Sequence, residues 1–365
     1  MSALRKPWAS FDGPLLISVL AIVAMGLVNL YSATRVAPKG LFSTQLMFFG
    51  IGTVLFLLAA AVDYRVLQRL ASPIYLTVLA MLIGVLLFGK VVNGSRRWFG
   101  FANFGIQPSE LMKLALIVAY ARLFSADPLD LQARPVRYAL IWHAVLFVPA
   151  ILILKQPDLG TALLCVFVAA SMLLLVPLHA KVKAGVVAVD VSAAALVILF
   201  GLKDYQKKRF LTFLHPELDP TGAGWHARQA IFAIGSGRLT GKGYLRGTQN
   251  QLQFLPEHWT DFPFAVWAEE WGLLGCLLLL LCYLVLILWS IYLAHEARDR
   301  FARYMAIGCA SLLFWHVSIN IAMVIGMAPV VGVTLPLISY GGSSLLTVMV
   351  VLGLLMNVSM RKYNY

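Results

Sequence analysis

Residues Tyr304 to Met360 read YMAIGCASLLFWHVSINIAMVIGMAPVVGVTLPLISYGGSSLLTVMVVLGLLMNVSM, and this run of 57 residues contains no Asp, Glu, Lys or Arg. A helix that crosses the hydrocarbon core of a bilayer needs about 20 mostly apolar residues. The run is therefore too long for one crossing. Its segment Gly326–Ser344 is rich in Gly, Pro and Ser, which interrupt helices. The sequence predicts two membrane-spanning helices joined by a short loop.

The composition of the whole chain excludes a soluble protein. The chain has 365 residues, of which 61% are hydrophobic and only 12% are charged. A soluble domain carries about 25% charged residues. So few charges cannot cover a water-exposed surface, and this excludes a cytosolic enzyme, a disordered protein and a secreted disulfide scaffold. The four cysteines, all within apolar runs, are predicted to be buried and unpaired.

Eight further apolar runs precede this pair, so the sequence predicts ten transmembrane helices. The eight runs are Gly13–Thr34, Leu41–Val62, Leu70–Gly89, Ile106–Ala121, Tyr138–Leu154, Leu159–Leu178, Ala184–Leu202 and Trp271–Ala294. We therefore expect an all-α polytopic membrane protein that forms a single domain over residues 1–365. A large extracytoplasmic loop, residues 203–262, is expected between helices 7 and 8.

The distribution of basic residues predicts the orientation. The formal net charge is +13, from 29 Lys and Arg against 16 Asp and Glu. Basic loops are typical of membrane insertion and of contact with anionic lipids, so no nucleic-acid partner is expected. With both termini in the cytoplasm, fourteen basic residues lie in cytoplasmic segments and six in short outer segments. Short cytoplasmic loops of membrane proteins carry the excess of Lys and Arg, so both termini are predicted to be cytoplasmic.

Polar residues that fall outside the predicted cytoplasmic loops are the candidates for function, because such residues are costly at membrane depth. Glu110 and Lys113, near the start of the fourth span, are three residues apart and share a helix face. The pair suits a structural ion pair and a substrate-facing pair about equally. Asp158 is expected to cap the sixth helix. Lys155 lies at the predicted membrane boundary, where an anionic head group would be. His316 is expected to be hydrogen-bonded inside the bundle.

The predicted outer loop is too long to be a simple connection. It carries eight basic residues, among them Arg228 and Lys242, against five acidic ones. Its glycine-rich run Gly235–Gly247 suits either flexible packing on the membrane surface or backbone amides arranged around a phosphate. Two turns beyond the loop's end, Glu269 and Glu270 lie at a depth where adjacent acids need partners, and either their neutral form or a basic residue of the loop would meet that need.

Asp261 and two serines complete the candidate residues. Asp261 stands between the loop and the eighth span, where its carboxylate suits either a proton acceptor or, more commonly, a helix cap. Ser339 and Ser343 flank Tyr340-Gly341-Gly342 in the last connection. Small residues at a helix start suit anion binding by free backbone amides or close helix packing.

Five motifs, in this order along the chain, strongly resemble the SEDS family of shape, elongation, division and sporulation proteins. They are Gln107-Pro108-Ser109-Glu110, Gln156-Pro157-Asp158-Leu159-Gly160-Thr161, Asp219-Pro220-Thr221-Gly222-Ala223-Gly224, Gly241-Lys242-Gly243 and Leu337-Ile338-Ser339-Tyr340-Gly341-Gly342-Ser343-Ser344. The segments around Gly247-Thr248-Gln249 and Phe254-Leu255-Pro256-Glu257 are more similar to the elongation members than to the division members. Trp259 stands where the family usually has a histidine, and His258 comes one place earlier.

The resemblance implies a peptidoglycan glycosyltransferase of the bacterial cytoplasmic membrane that polymerises lipid II during cell elongation. It implies a class B penicillin-binding protein transpeptidase and other elongation-complex membrane proteins as partners. The family's essential aspartate maps onto Asp261, whose implied role is then the general base. The cations expected to stabilise the pyrophosphate leaving group are Lys113, Lys155, Arg228 and Lys242, and a divalent cation (Mg²⁺ or Mn²⁺) is a candidate cofactor.

Two other functions fit a ten-span protein. A transporter or flippase of lipid-linked cell-wall precursors would fit the buried ionisable residues, although transporters place their polar sites near the midplane. Here the polar residues concentrate at the predicted outer face. A scaffold that only holds the transpeptidase is the third hypothesis. Only the glycosyltransferase predicts glycan chains from purified protein and lipid II.

Overall fold

Helices form nearly all of the regular structure in the part of the chain that the computed structural model describes. The described residues are 11–35, 40–92, 95–101, 104–126, 132–197, 201, 204–215, 219, 222–252 and 258–362. The first half contains α1 (Gly13–Ala33), α2 (Leu41–Ala61), α3 (Tyr64–Phe88), β1 (Lys90–Val92), β2 (Ser95–Phe101), β3 (Phe104–Ile106), α4 (Pro108–Phe124), α5 (Pro135–Lys155) and α6 (Leu159–Leu174). The second half contains α7 (Ala180–Leu196), α8 (Asp204–Leu214), α9 (Ala223–Gly237), α10 (Thr248–Gln251), α11 (Pro263–Glu296), α12 (Arg300–Val324) and α13 (Gly342–Arg361).

The predicted class, an all-α polytopic membrane protein, is confirmed. Among the described residues, seven helices are long and apolar enough to cross a bilayer: α1, α2, α3, α5, α11, α12 and α13. The predicted fourth, sixth and seventh spans coincide with α4, α6 and α7, which have 17, 16 and 17 residues. The total of ten spans requires that these three shorter helices also cross the membrane, and this stays a prediction.

The centre of the bundle is formed by the two helices of the uncharged run quoted above. In α13, 72% of the most apolar window is buried, and in α12 56%, against 22% in α2 and α3. Helix α13 packs on α2, and α12 packs on α4 and α11. Close packing of this kind depends on small residues. A Cβ atom on Gly353 of α13 would lie 2.5 Å from the carbonyl oxygen of Phe56 in α2.

Four aspartates begin helices, as their position before apolar runs favours. The carboxylates of Asp12, Asp63, Asp158 and Asp299 accept a hydrogen bond from a backbone N–H in the first turn of α1, α3, α6 and α12. The predicted capping role of Asp158 is confirmed.

The structure differs from the sequence prediction between α3 and α4, where three short antiparallel strands form a sheet in the order β1–β2–β3. Lys90 pairs with Trp98, and Phe99 pairs with Ile106. Ile106, predicted to begin the fourth span, therefore ends β3. β1 and β3 have only three residues each, and the seven residues of β2, SRRWFGF, do not alternate between polar and apolar, although such alternation is the signal that identifies a strand in a sequence.

Helix α11 starts at Pro263, directly after the predicted loop 203–262, and it extends further than the uncharged run Trp271–Ala294 that identifies the eighth span in the sequence. Glu269 and Glu270 find partners inside the protein and do not interrupt the helix. The break lies instead at Gly272, whose backbone angles (φ 64°, ψ −163°) are not helical. Helices α8, α9 and α10 show that much of the predicted outer loop is ordered.

The backbone of the segment that follows α9 satisfies the groups left unpaired by the break in α11. The N–H groups of Leu273 and Leu274 donate to the carbonyl oxygens of Arg238 and Leu239, at 2.9 and 3.1 Å. In the other direction, the N–H of Lys242 donates to the carbonyl oxygen of Glu269 at 2.9 Å. Residues 238–242 and residues 269–274 of α11 are therefore joined by backbone hydrogen bonds in both directions.

Gly237→Ala is expected to destabilise this junction. A Cβ atom at Gly237 would lie 2.0 Å from the carbonyl oxygen of Ala268, whereas one at Gly235 in the same helix would meet nothing within 4 Å. Overpacking of this kind costs about 1–3 kcal/mol, whereas Gly235→Ala is expected to stabilise the helix by about 0.5–1 kcal/mol. Thermal unfolding of the purified variants measures both effects. Equal midpoints would contradict the close approach of α9 to α11.

Candidate functional site

A cavity of about 540 Å³ lies where the ends of several helices meet. Its walls include the starts of α4, α6 and α13, the end of the outer loop, and the connection between α12 and α13. By chain connectivity these parts share one end of the bundle, the end predicted to face the periplasm. The ionisable residues of the lining are Arg97, Glu110, Asp158, Arg209, Asp261, His316 and Tyr340.

Asp261 lies in the turn that precedes α11 and lines this cavity. The N-cap residue of α11 is Phe262, so the cap position considered for Asp261 belongs to its neighbour. The Asn320 side chain donates to the carbonyl oxygen of Asp261 at 3.0 Å. Gly332 has a φ of +76°, and a Cβ atom there would lie 3.9 Å from Oδ2 of Asp261. The backbone of the α12–α13 connection therefore passes close to the carboxylate.

A chain of polar contacts runs from the cavity wall into the bundle. The ammonium of Lys113 lies 2.8 Å from the Glu110 carboxylate and 3.0 Å from Nε2 of His316. Nδ1 of His316 lies 3.0 Å from the carbonyl oxygen of Thr334. A neutral His316 that donates through Nδ1 and accepts at Nε2 satisfies both of its contacts. The predicted Glu110–Lys113 pair and the predicted burial of His316 in a hydrogen bond are both confirmed.

The two members of the ion pair face different surroundings. Glu110 is 7% exposed and lines the cavity, whereas Lys113 is 2% exposed and lies behind it. A buried ammonium needs partners for its protons, and Glu110 and His316 supply them. Glu110 and Lys113 thus form a structural ion pair, and the Glu110 side of this pair lines the cavity.

The connection before α13 places its two serines differently. The Ser343 hydroxyl lines the cavity and donates to the carbonyl oxygen of Gly105 at 2.9 Å. The Ser339 hydroxyl is buried and accepts from the N–H of Leu335 at 2.8 Å, which stabilises the turn. Tyr340 also lines the cavity, and burial raises the pKa of its hydroxyl. The Tyr340 hydroxyl therefore stays protonated at neutral pH.

Three of the predicted cationic residues lie away from the cavity lining. Lys155 is exposed at the end of α5. Arg228 lines a separate cavity of about 80 Å³ beside α8 and α9. Lys242 forms an ion pair with Glu269 at 2.6 Å and donates to the Thr248 hydroxyl at 2.8 Å. This pair is the basic partner from the loop that the sequence predicted for the acids of α11, and the Glu270 carboxylate accepts a hydrogen bond from the Ser32 hydroxyl.

Two arginines and an asparagine at the site are not among the site residues predicted from the sequence. Arg97 in β2 donates to the carbonyl oxygens of Gln156 and Pro157 and so holds the turn between α5 and α6. Arg209 in α8 donates to the carbonyl oxygen of Val330 at 3.1 Å. In the sequence both arginines are ordinary loop charges. Asn320 could have been identified from the sequence, because an amide side chain inside an apolar span is unusual and needs hydrogen-bond partners.

Lys242→Gln is expected to lower stability much more than Lys208→Gln. The Glu269 side chain that pairs with Lys242 is 1% exposed, whereas Lys208, which lies 3.5 Å from Asp219, is 67% exposed. Removing one partner of a buried pair costs about 3–5 kcal/mol, and exposed pairs contribute about 0–1 kcal/mol. Thermal unfolding in detergent compares the two variants. Equal midpoints would show that the Lys242–Glu269 pair is not structural.

The described residues do not offer a ready metal site. Among them, no group of three or more His, Cys, Asp or Glu side chains could hold a metal ion. The three acids that line the cavity, Glu110, Asp158 and Asp261, therefore do not form a protein-only site for the divalent cation considered from the sequence.

Comparison with known proteins places this architecture in a family. A family model described as "Cell cycle protein", which comprises FtsW, RodA and SpoVE, matches residues 14–364. Peptidoglycan glycosyltransferase MrdB of Escherichia coli K12 is 39% identical over 349 residues, covering 95% of this chain and 93% of that protein. Stage V sporulation protein E of Bacillus subtilis is 36% identical over 359 residues, covering 94% of this chain and 96% of that protein.

Two solved structures are similar over nearly the whole chain. One is described as "Structural coordination of polymerization and crosslinking by a peptidoglycan synthase complex". Its matching chain has a TM-score of 0.82 and is 33% identical, and the match covers 98% of this chain and 100% of that chain. The other is rod shape determining protein RodA of Thermus thermophilus, with a TM-score of 0.73 at 32% identity, 99% of this chain covering all of that one. The chain belongs to the FtsW/RodA/SpoVE family of cell cycle proteins, which is the SEDS family that its motifs resemble.

Proposed function

We propose that the protein is a peptidoglycan glycosyltransferase that polymerises lipid II into β-1,4-linked glycan strands. The observation that carries the proposal is its 39% identity, over 95% of the chain, to a peptidoglycan glycosyltransferase. The cavity fits this activity, because carboxylates and guanidinium groups line it together. Glycosyl transfer from a pyrophosphate-linked sugar needs a proton acceptor and positive charge near the leaving group.

In the proposed reaction, Asp261 is the general base. Its carboxylate takes the proton from the 4-hydroxyl of the acceptor's N-acetylglucosamine. That oxygen forms a bond to C1 of the N-acetylmuramic acid at the reducing end of the donor chain. The bond from C1 to the pyrophosphate oxygen breaks, undecaprenyl pyrophosphate leaves with the electron pair, and the α-linkage inverts to β. A pyrophosphate leaves as a stabilised anion and needs no proton, so a single carboxylate suffices.

Charge stabilisation supplies the part of the rate that a base does not. A positioned base contributes roughly 10²–10⁴-fold, and preorganised donors at the developing charge contribute at least as much. Arg97 and Arg209 line the cavity and are the cations best placed for the pyrophosphate. Lys113 is neutralised by Glu110 at 2.8 Å and acts on the substrate only through that pair. Lys155, Arg228 and Lys242 lie away from the cavity lining, which favours structural or surface roles for them.

The proposed setting is the bacterial cytoplasmic membrane, with both termini cytoplasmic and the cavity open to the periplasm. The sugars and the pyrophosphate of lipid II would lie in the polar cavity while the polyprenyl tail stays among apolar helix faces. We propose a class B penicillin-binding protein transpeptidase as the partner, within a larger elongation complex. The similarity to a peptidoglycan synthase complex that coordinates polymerization and crosslinking supports this partner.

Polymerisation of lipid II by the purified protein tests the proposed function. We expect glycan chains on a gel from the protein with lipid II, and more product when the cognate transpeptidase is added. A flippase or a scaffold would give no chains in either reaction. Absence of product with an authenticated partner present would therefore overturn the proposal and favour those alternatives.

A further inference from the structure

The six residues from His258 to Pro263, which include Asp261, are held by hydrogen bonds to three separate parts of the protein. Nε2 of His258 lies 2.9 Å from the carbonyl oxygen of Ala33 in α1. The carbonyl oxygen of Trp259 accepts from the N–H of Tyr340, in the α12–α13 connection, at 2.7 Å. Two further contacts come from asparagine side chains.

The two asparagines bind the carbonyl groups on either side of Phe262. Nδ2 of Asn320, in α12, donates to the carbonyl oxygen of Asp261 at 3.0 Å. Nδ2 of Asn29, in α1, donates to the carbonyl oxygen of Pro263 at 2.9 Å. Both side chains are completely buried, and both helices are apolar enough to span a membrane. The amides therefore make these contacts away from competing water, where a hydrogen bond is strongest.

Asn320 connects two walls of the cavity. The same Nδ2 atom also lies 2.7 Å from the carbonyl oxygen of Val333. Val333 belongs to the connection that passes the Asp261 carboxylate, and both residues line the cavity. One amide thus fixes the separation between the segment that carries the carboxylate and the backbone that faces it.

We propose that Asn29 and Asn320 are positioning residues that hold the Asp261 carboxylate in its reactive geometry; this rests on the proposed function. With the carbonyl groups of residues 261 and 263 fixed, the Asp261 side chain retains only its own two torsion angles. Preorganisation of this kind determines rate, because a displacement of about 1 Å at a reacting group costs up to 10²-fold. The asparagines act through the backbone of Asp261 and Pro263 and do not contact substrate.

A third buried asparagine provides a matched control. Asn357 in α13 is also completely buried, and its Nδ2 donates to the carbonyl oxygens of Ala59 and Ala60 at 2.7 and 3.1 Å. Like Asn29 and Asn320, it leaves its own Oδ1 without a partner among the described residues. Its contacts lie at the opposite end of the bundle from the cavity. Asn357→Leu therefore removes a comparable amide with no link to Asp261.

The test compares Asn320→Leu, Asn29→Leu and Asn357→Leu in steady-state polymerisation of lipid II and in hydrogen–deuterium exchange. We expect kcat to fall by about 10-fold or more in Asn320→Leu and by less in Asn29→Leu, which loses one contact. KM should stay within about 3-fold of wild type, since no substrate contact is removed. Exchange in a peptide covering residues 258–262 should accelerate in both variants. Asn357→Leu should change neither kcat nor this exchange, whatever it does to the unfolding midpoint.

Wild-type kcat in Asn320→Leu and Asn29→Leu would overturn the proposal, and so would an equal fall in Asn357→Leu. If one variant does not fold, the other carries the test. Asp261→Asn, measured in parallel, separates the two levels of the argument. An active Asp261→Asn protein contradicts the base assignment itself and the positioning role with it. An inactive one, combined with fully active asparagine variants, contradicts the positioning role alone.

Discussion

Asp261→Asn is expected to reduce kcat for lipid II polymerisation by about 10²–10⁴-fold, the contribution of a positioned general base. The substitution keeps the size and shape of the side chain but removes the proton acceptor. Because the Asn320 amide binds the main-chain carbonyl of Asp261, the backbone geometry should survive the change. KM and the unfolding midpoint should therefore change little. The measurement is a time course of glycan formation at saturating lipid II.

Asp190→Asn is the control for this variant. Asp190 lies in α7, with its carboxylate 3.4 Å from Nε2 of His143, and it does not line the cavity. Asp190→Asn replaces a carboxyl group by an amide of the same shape, as Asp261→Asn does. We expect Asp190→Asn to polymerise lipid II at the wild-type rate. Equal activity of the Asp261 and Asp190 variants would remove Asp261 from the mechanism.

Reversing the charge of Glu110 or Lys113 alone is expected to abolish activity, and reversing both is expected to restore part of it. Each single reversal places two like charges where the structure has an ion pair at 2.8 Å. An uncompensated charge at a buried pair costs about 3–5 kcal/mol, which is a large part of a typical stability of about 5–15 kcal/mol. Thermal unfolding and polymerisation should therefore fall together.

The structure also predicts why recovery in the double variant is incomplete. A glutamate at position 113 would face Nε2 of His316, which now accepts from the Lys113 ammonium at 3.0 Å. The ring would have to donate through this nitrogen while Nδ1 still faces the carbonyl oxygen of Thr334. Only a doubly protonated, charged His316 meets both demands. The double variant therefore requires an additional charge at this buried position, which limits the recovery. A double variant no better than either single variant would show that Glu110 and Lys113 have independent roles.

The spans were predictable because a bilayer leaves few choices. A spanning segment must be apolar and must pair its own backbone groups, so uncharged runs identify helices. An uncharged run is shorter than the helix it identifies where partners in three dimensions remove the cost of a charge. Glu269 is paired with Lys242 at 2.6 Å, and α11 therefore includes both acids that precede the uncharged run Trp271–Ala294.

The lining of the candidate site was predictable only where a residue's location follows from its place in the chain. Glu110, Asp261 and Ser343 meet at one cavity, as the motifs before helix starts indicated. Charge alone was a poor guide to the cations: Lys155 and Lys242, selected as basic residues of the outer side, lie away from the cavity lining. Arg209 lines the cavity because α8 lies beside it in the folded protein, which no local pattern reveals.

Photocrosslinking of lipid II inside the cavity tests the central claim most directly. Tyr340 lines the cavity and contacts the Asp261 segment through its backbone N–H, so p-benzoylphenylalanine at this position keeps that contact. The account predicts a crosslinked adduct with labelled lipid II that excess unlabelled lipid II suppresses. A protein with the probe at Tyr340 that still makes glycan chains but forms no adduct would contradict the account.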